Sequence, residues 1–272
     1  MNILVTVILF IMLSCIRTEA NTAPKVDQSE SDSMPQEELL YTQRNIQTVL
    51  EHAKIPQNIQ HVILNDSDFA PTLQCILNGD SSLRQLIDKQ HPFAPIDYEP
   101  DDLVSLSVQK DYQINRHLLL RKEAEEALQT MAHAARNAGI TLVVSSAYRS
   151  YQYQIEVYNR NVRLLGKEQA DRESAQPGYS QHQTGLVVDF GSITQAFAET
   201  YAGKWLQLHA NTFGWSLSFP DGYETVTGYM WESWHYRYVG VEMCGFINRY
   251  FEGIQQYGLS FLYAWEKHLT KF

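Results

Sequence analysis

Residues 180–189 read SQHQTGLVVD and place a histidine and an aspartate on either side of a turn and a short strand. Gly185 breaks the chain after His182, and the apolar run that begins at Leu186 predicts a buried strand with Asp189 near its end. A carboxylate buried in this way is costly unless it is paired or coordinated. The segment therefore predicts two metal ligands attached to the core of the fold.

A second motif, ESWH at residues 232–235, supplies another carboxylate and another imidazole. The alternating pattern from Trp234 to Val239 predicts a strand that carries His235 and Arg237 on one face. Glu232 would face the opposite side of a regular strand. It must therefore lie on a turn or bulge if it shares a site with the histidine.

Two imidazoles and one carboxylate are a usual ligand set of a catalytic zinc site, and the second carboxylate can act as the base. We expect His182, Asp189 and His235 to bind one Zn²⁺ ion and to leave a fourth position for water. Zinc lowers the pKa of such a water, and Glu232 would accept its proton and pass it to the leaving amine.

Arg149 is placed to assist such a site. The β-branched run at 140–144 predicts a strand, and Ser150 can cap a helix that runs to about Leu165. An arginine at this strand-to-helix junction can hold an anion or a developing oxyanion. A surface salt bridge is the alternative that the sequence leaves open.

The composition fits a folded protein that does not bind polyanions. The chain has 272 residues, 44% of them hydrophobic, which is enough for a full core. Its formal net charge of −10 argues against nucleic acid or an anionic membrane surface as the main partner. Nothing in the sequence indicates an obligate protein partner.

The N-terminus predicts export. Residues 3–13 form an apolar run too short to span a bilayer but typical of a signal-peptide core, although no Lys or Arg precedes it. The sequence allows two ways of processing this signal. One is lipidation at Cys15, in a segment similar to a bacterial lipobox, and the other is cleavage after Ala20. We therefore expect a location in the bacterial cell envelope or periplasm, with the membrane contacted only through the signal or a lipid anchor.

The domain organisation is predicted from composition. Residues 1–20 are the export signal, 21–36 a polar tether, 37–84 a helical extension and 85–272 the catalytic domain. An oxidising compartment would permit a disulfide between Cys75 and Cys244, but isolated cysteines are more often buried apolar residues.

The fold class that these patterns predict is α+β, an antiparallel sheet with packed helices. The three prolines within residues 88–103 exclude a helix or a central strand and predict an irregular arm. An apolar stripe predicts a helix over 120–138, and the aromatic residues of 241–272 predict closing helices that belong to the core.

Three segments together resemble the VanY-type D-alanyl-D-alanine carboxypeptidases and the related L,D-carboxypeptidases, whose fold is shared by the hedgehog signalling domain. The family pattern S-x-H-x-x-G-x-A-x-D is similar to residues 180–189, and E-x-W-H is similar to residues 232–235. The pattern S-G-Y-R-S with a downstream Gln is similar to residues 146–150 and Gln154. The likeness extends from about residue 88 to residue 240.

This resemblance implies a role for each site residue. The metal ligands would be His182, Asp189 and His235, the base Glu232, and the substrate contacts Arg149, Gln154 and Ser180. Three positions depart from the family pattern without removing a ligand, namely Ala147, Val187 and Ser233. We expect Val187, which replaces a smaller alanine, to narrow the pocket.

The implied activity is zinc-dependent removal of the terminal D-alanine from peptidoglycan stem peptides. D,D specificity is favoured, and L,D specificity is the alternative. An endopeptidase that cuts within or between stem peptides is a second hypothesis. A catalytically silent, zinc-stabilised module that binds cell wall or a partner is a third, although such a module would need neither Glu232 nor Arg149.

Overall fold

The computed structural model describes residues 41–108 and 110–270. The predicted export signal, Cys15 and the tether lie outside the described residues. The chain from Gln43 onward forms one compact unit that contains both the predicted helical extension and the predicted catalytic domain. Within the described part of the chain, no helix has the length and apolar character needed to cross a membrane.

Helices flank the sheet and make up most of the two ends of the described chain. The α-helices are α1 (Gln43–His52), α2 (Gln57–Asn65), α3 (Phe69–Asn78), α4 (Lys122–Asn137), α5 (Tyr151–Leu165), α6 (Lys167–Glu173), α7 (Tyr201–His209), α8 (Glu224–Thr227), α9 (Val241–Tyr250) and α10 (Gln255–Leu269).

The strands form one five-stranded sheet and one two-stranded sheet. The strands are β1 (Leu103–Ser105), β2 (Gln113–Ile114), β3 (Leu119–Arg121), β4 (Val143–Ser146), β5 (Val187–Phe190), β6 (Trp215–Leu217) and β7 (His235–Tyr238). The large sheet has the order β2-β4-β5-β7-β6, and β1 pairs with β3. The predicted α+β class is confirmed. The β4–β5, β5–β7 and β6–β7 pairs are antiparallel as predicted, but the short edge strand β2 pairs in parallel with β4.

The centre of the sheet joins the two sequence motifs. Strand β5 lies between β4 and β7, and its four residues are all buried. The register between β5 and β7 sets Asp189 opposite His235. Apolar side chains of β5, including Val188 and Phe190, belong to the hydrophobic core that supports this pairing. Two metal-ligand candidates thus become neighbours because the core fixes the strand register.

Helix α4 covers this core with the predicted apolar stripe. Ala124, Leu128, Met131 and Ala135 are completely buried at spacings of three and four residues. The helix begins at Lys122 and not at Leu120, because residues 119–121 pair with β1 as a strand. The residue that follows the C-cap is Gly139, whose φ of +78° favours glycine.

The N-terminal helices pack on the C-terminal ones. Phe69 of α3 contacts the rings of Phe246, Tyr250 and Phe261, with centroids 4.9–5.7 Å apart. Arg249 of α9 forms ion pairs with two aspartates of the α2–α3 turn. The aromatic stripe of the C-terminal helices is therefore core, as the sequence predicted.

The two described cysteines do not form a disulfide. Cys75 is exposed, whereas Cys244 is buried in α9. Burial raises the pKa of the Cys244 thiol to about 12, so this side chain stays protonated at physiological pH. It behaves as the buried apolar residue that was the alternative to a disulfide.

The proline-containing arm at residues 88–103 supports the turn that carries His182. The side-chain amide of Gln183 donates hydrogen bonds to the carbonyl oxygens of Ile96 and Tyr98, at 2.9 and 3.0 Å. Gly185 ends this turn with a φ of +69°, and a Cβ atom there would lie 2.9 Å from Arg121 Cγ. The arm and the glycine together fix the position of the metal-binding turn.

Candidate metal centre and substrate cleft

His182, Asp189 and His235 meet in the interior of the protein. Each is buried, and one potential ligand atom from each lies within 4.8 Å of the others. His182 comes from a short 3₁₀ turn, Gln181–Thr184, while Asp189 and His235 lie opposite each other on β5 and β7. The three predicted ligands are thus brought together by one turn and one strand pair.

The imidazole of His182 is oriented by a backbone carbonyl. Its Nδ1 lies 2.7 Å from the carbonyl oxygen of Ala147, which can only accept, so Nδ1 carries the proton. The unprotonated Nε2 then faces Asp189 Oδ2 at 3.2 Å. A lone pair facing a carboxylate oxygen at this distance is repulsive unless a cation lies between them.

The imidazole of His235 has the mirror arrangement. Its Nε2 lies 3.3 Å from Gln181 Oε1, and donation to that amide oxygen leaves Nδ1 unprotonated in the neutral imidazole. Nδ1 faces Asp189 Oδ1 and Glu232 Oε2, each at 3.2 Å. Hydrogen bonds from the outer nitrogens of ligating histidines are the usual way in which proteins orient metal ligands.

This set of side chains fits a zinc ion. His182 Nε2 and Asp189 Oδ1 are buried and have no hydrogen-bond partner. Two imidazole nitrogens and a carboxylate are ligands that zinc prefers, and three protein ligands leave a position open, as in catalytic zinc sites. The buried orphan atoms are therefore explained by a cation bound among the three residues.

The ionisation of the three candidate ligands before metal binding follows from burial and mutual contact. Burial, followed by the charge of Arg149, lowers the pKa of His182 to about 4. Burial opposes the protonation of His235, but its contacts with Asp189 and Glu232 raise its pKa to about 8. The pKa of Asp189 lies well below its usual range because the adjacent histidines outweigh its burial.

Glu232 lies outside strand β7, as its spacing from His235 requires. It occupies the turn before the strand, where its carbonyl oxygen accepts from the His235 amide at 3.2 Å. Its side chain is mostly buried yet lines both cavities described below. Burial raises the pKa of this carboxyl, which makes it a better proton acceptor when ionised.

Arg149 lies beside the metal ligands and is not a surface residue. Its guanidinium donates to Ser146 Oγ at 3.3 Å, to Gln154 Oε1 at 3.0 Å and to Asp189 Oδ2 at 3.3 Å. Burial lowers its pKa, although Asp189 and Glu232 oppose the change. An arginine at this position can meet an anionic group of a bound molecule next to the metal.

Gln154 and Ser180 occupy different positions from each other. Gln154 is completely buried, accepts from Arg149 and donates to the carbonyl oxygen of Ala175 at 2.7 Å, and it lines neither cavity. In this position Gln154 fixes Arg149, and its predicted contact with the substrate stays a prediction. Ser180 lines the smaller of the two cavities described below, and its hydroxyl accepts from the His182 amide. Substrate contact by Ser180 stays a prediction.

Two cavities that share lining residues adjoin the candidate metal ligands. The larger, of about 620 Å³, is a cleft that runs from Arg149, Asp189 and Glu232 along one face of α5. The smaller, called the inner cavity, has a volume of about 40 Å³ and lies against His182, His235 and Ser180. Arg149 and Glu232 line both cavities. They therefore stand where the cleft meets the metal ligands.

The departures from the family pattern leave this geometry intact. Ala147 contributes its carbonyl oxygen to His182, which any residue could do. Val187 is completely buried opposite Arg237 and lines neither cavity, so the expectation that it narrows the pocket is wrong. Ser233 lies in the turn before β7 and is also buried.

The structure also assigns a role to a residue that the sequence motifs did not single out. Gln181 is buried beside His182 and accepts from His235, which links the two motifs. Its position next to a ligand was the available signal, but the sequence gives no direction for its side chain.

The chain shares its sequence with a known group of peptidases. The sequence model of the family described as VanY, D-alanyl-D-alanine carboxypeptidase, matches residues 117–241. YodJ of Bacillus subtilis (strain 168) is 37% identical over 190 residues, which cover 67% of this chain and 69% of that protein. The chain belongs to the VanY family. The matched region contains all three predicted ligands and the predicted base.

Two solved structures are similar to this chain in fold. The LD-carboxypeptidase LdcB, whose structure concerns peptidoglycan recognition, is 36% identical, with a TM-score of 0.55 over 62% of this chain and 85% of that one. A mutant of the vancomycin-resistance D,D-pentapeptidase VanY, solved in complex with Zn(II), is 26% identical, with a TM-score of 0.54 over 70% of this chain and 99% of that one. This VanY-family chain is thus a metallopeptidase of the carboxypeptidase type that serves the cell wall.

Proposed function

We propose that this chain is a zinc-dependent carboxypeptidase that removes the terminal D-alanine from peptidoglycan stem peptides. The supporting observation is the convergence of two imidazole nitrogens and two carboxylates at one end of a cleft, beside the largely buried guanidinium of Arg149. One Zn²⁺ ion held by His182, Asp189 and His235 would polarise the scissile carbonyl and acidify water.

Glu232 acts as the proton carrier in this proposal. Its carboxylate accepts a proton from the attacking water and delivers it to the departing amine of D-alanine. Burial favours the first half of this cycle, because a carboxylate with a raised pKa is a stronger base toward the attacking water.

Arg149 supplies the positive charge at the reacting end of the cleft. Its hydrogen bonds to Gln154 and Ser146 fix the guanidinium, so little reorganisation is needed when an anion arrives. It can hold either the terminal carboxylate of the peptide or the oxyanion that develops during attack. Both roles require the guanidinium to stay where Gln154 places it.

Replacing Glu232 by alanine tests the assignment of the base. We expect E232A to release D-alanine at least 10²-fold more slowly than the unaltered enzyme, since a general base contributes about that much. Bound zinc should be retained, because three ligands remain. D-alanine release at the unaltered rate would contradict the assigned role, and zinc content by metal analysis is the control.

Substrate choice among peptidoglycan peptides is the finer part of the proposal. D,D specificity is favoured, and both specificities occur among the similar structures, since LdcB is an LD-carboxypeptidase and VanY a D,D-pentapeptidase. Incubation with tetrapeptide and pentapeptide muropeptides distinguishes them. D,D activity shortens only the pentapeptide, whereas an endopeptidase would release peptide fragments and no free amino acid.

The proposed location is the bacterial cell envelope, reached through the export signal at residues 1–20. Peptidoglycan lies outside the cytoplasmic membrane, so the proposed substrate requires export. Fractionation of cells that express the full chain and a Cys15→Ala variant would separate a lipid-anchored protein from one with a cleaved signal. Retention of both proteins in the cytoplasm would contradict the proposal.

A further inference from the structure

The cleft carries two arginines, Arg116 and Arg160, that the catalytic roles do not use. The part of the cleft that they line is called the outer cleft. Arg160 and Arg116 line the same cleft as Arg149. Tyr153, Val157 and Arg160 follow each other on one face of α5 at positions i, i+4 and i+7, so the helix directs this row into the cleft. These arginines therefore lie along the route that a peptide takes to the metal centre.

The two arginines lack carboxylate partners inside the protein. Across residues 41–108 and 110–270, five arginines outside the metal centre form ion pairs, for example Arg121 with Asp102 and Arg172 with Glu224. No carboxylate of this part of the chain forms an ion pair with Arg116 or Arg160, and Arg116 donates only to the carbonyl oxygen of Ser145. Their charge is available to a ligand.

The remaining charges of the cleft do not neutralise them. The carboxylates in its wall are Glu173, Asp189 and Glu232. Asp189 and Glu232 contact the site histidines, and Glu173 lines the inner cavity as well and accepts from Gln169. The outer cleft is thus cationic on a chain whose formal net charge is −10. Such a local reversal of charge favours an anionic group of the substrate.

The spacing along α5 sets the distance between the anionic groups. Gln154 fixes Arg149, and Arg160 lies six residues further along the helix, about 9 Å at the usual rise per residue. An extended peptide covers that distance in about three residues. A second carboxylate would therefore sit two or three residues before the one held at Arg149.

We propose that Arg160, assisted by Arg116, binds a carboxylate carried two or three residues before the terminal D-alanine of the substrate. This inference rests on the proposed carboxypeptidase function and adds a substrate class to it. The enzyme would prefer stem peptides with a free carboxylate at that position over the same peptides with a carboxamide. Arg160 is then a specificity residue that contacts the substrate away from the reacting bond.

The test uses two synthetic peptides that end in D-alanyl-D-alanine and differ only in a carboxylate or a carboxamide at the second or third residue before the end. We expect the unaltered enzyme to show about tenfold higher kcat/KM for the carboxylate peptide, mainly through KM, as for a hydrogen bond to a charged group. Arg160→Gln should bring the ratio of the two kcat/KM values close to one. Both kcat/KM values of a variant are measured on the same preparation. A lower fraction of folded protein therefore reduces both values equally and does not change their ratio.

Arg163→Gln is the matched control. Arg163 lies on the same helix and is exposed, but it lines neither cavity, so its substitution should leave the ratio unchanged. A ratio near one for the unaltered enzyme, or a ratio that Arg160→Gln does not reduce, would overturn the inference and leave the carboxypeptidase proposal standing. Absence of D-alanine release from both peptides would overturn the proposed function and this inference with it.

Discussion

Each histidine of the metal centre uses one ring nitrogen for a hydrogen bond and turns the other toward Asp189. The partners, the Ala147 carbonyl and the Gln181 side chain, accept and do not donate at these contacts, so they select the tautomer that can bind a metal. The same carboxylate faces both imidazoles. At the scale of single residues, the site is thus arranged for a cation before one arrives.

Zinc affinity should depend on pH through His235. Its pKa, raised to about 8 by Asp189 and Glu232, means that a proton occupies the ligand nitrogen below that pH and must leave when zinc binds. The apparent affinity should fall by up to about tenfold per pH unit below pH 8 and level off above it. His182, with a pKa of about 4, does not compete in this range.

Competition with a chromogenic chelator between pH 6 and pH 9 measures this dependence. After correction for the chelator's own protonation, a flat profile from pH 6 to pH 8 would contradict the assignment of His235 as a ligand that shares its proton with two carboxylates.

At the scale of elements, the metal-binding turn depends on close packing with the arm and the β1–β3 pair. Gly185 has a positive φ, and a Cβ atom there would lie within about 3 Å of Arg121 and Leu103 side chains. Gly139, at the end of α4, also has a positive φ but no atom within 4 Å of such a Cβ. The two glycines share backbone conformation and differ in their surroundings.

Substitution of these glycines by alanine separates strain from packing. G139A should destabilise the protein by about 1 kcal/mol through the left-handed backbone alone. G185A should cost roughly 2–3 kcal/mol, because the neighbouring side chains must also move, and should weaken zinc binding by displacing His182. Urea unfolding measures the change in stability, and zinc titration measures the change in zinc affinity. If both variants changed these two quantities equally, the role given to this packing would be contradicted.

The sequence predicted the metal centre better than its surroundings. His182, Asp189 and His235 belong to motifs whose spacing predicts a turn and two strands. The structure contains that turn and those strands. The parallel pairing of β2 depends on a two-residue edge strand that has no sequence signal. The hydrogen bond between Arg149 and Gln154 was not predicted, because sequence spacing alone cannot show that the helix turns this buried side chain toward Arg149.

At the scale of the whole molecule, helices α1–α3 and α9–α10 share a core. Phe69 is buried against aromatic rings of both C-terminal helices, and Asn58 and Arg249 link the two regions through polar contacts. Arg237 of β7 donates to the carbonyl oxygens of Leu83 and Gln85, which ties the segment after α3 to the strand of His235. The N-terminal helices should therefore unfold together with the sheet.

Phe69→Ala tests this cooperativity. Loss of a buried phenylalanine should cost about 3–5 kcal/mol, and the transition should remain single for far-UV circular dichroism and for tryptophan fluorescence. A variant in which limited proteolysis removes residues 43–78 while the sheet stays folded and retains zinc would contradict the shared core.

The most direct test of the zinc carboxypeptidase is the release of free D-alanine from a pentapeptide that ends in D-alanyl-D-alanine, followed before and after a chelator is added. We expect release to stop in the chelator while circular dichroism shows a folded domain, and to return when the chelator is removed and one equivalent of zinc is supplied. Release that continues without metal, or products that are peptide fragments with no free D-alanine, would contradict the account.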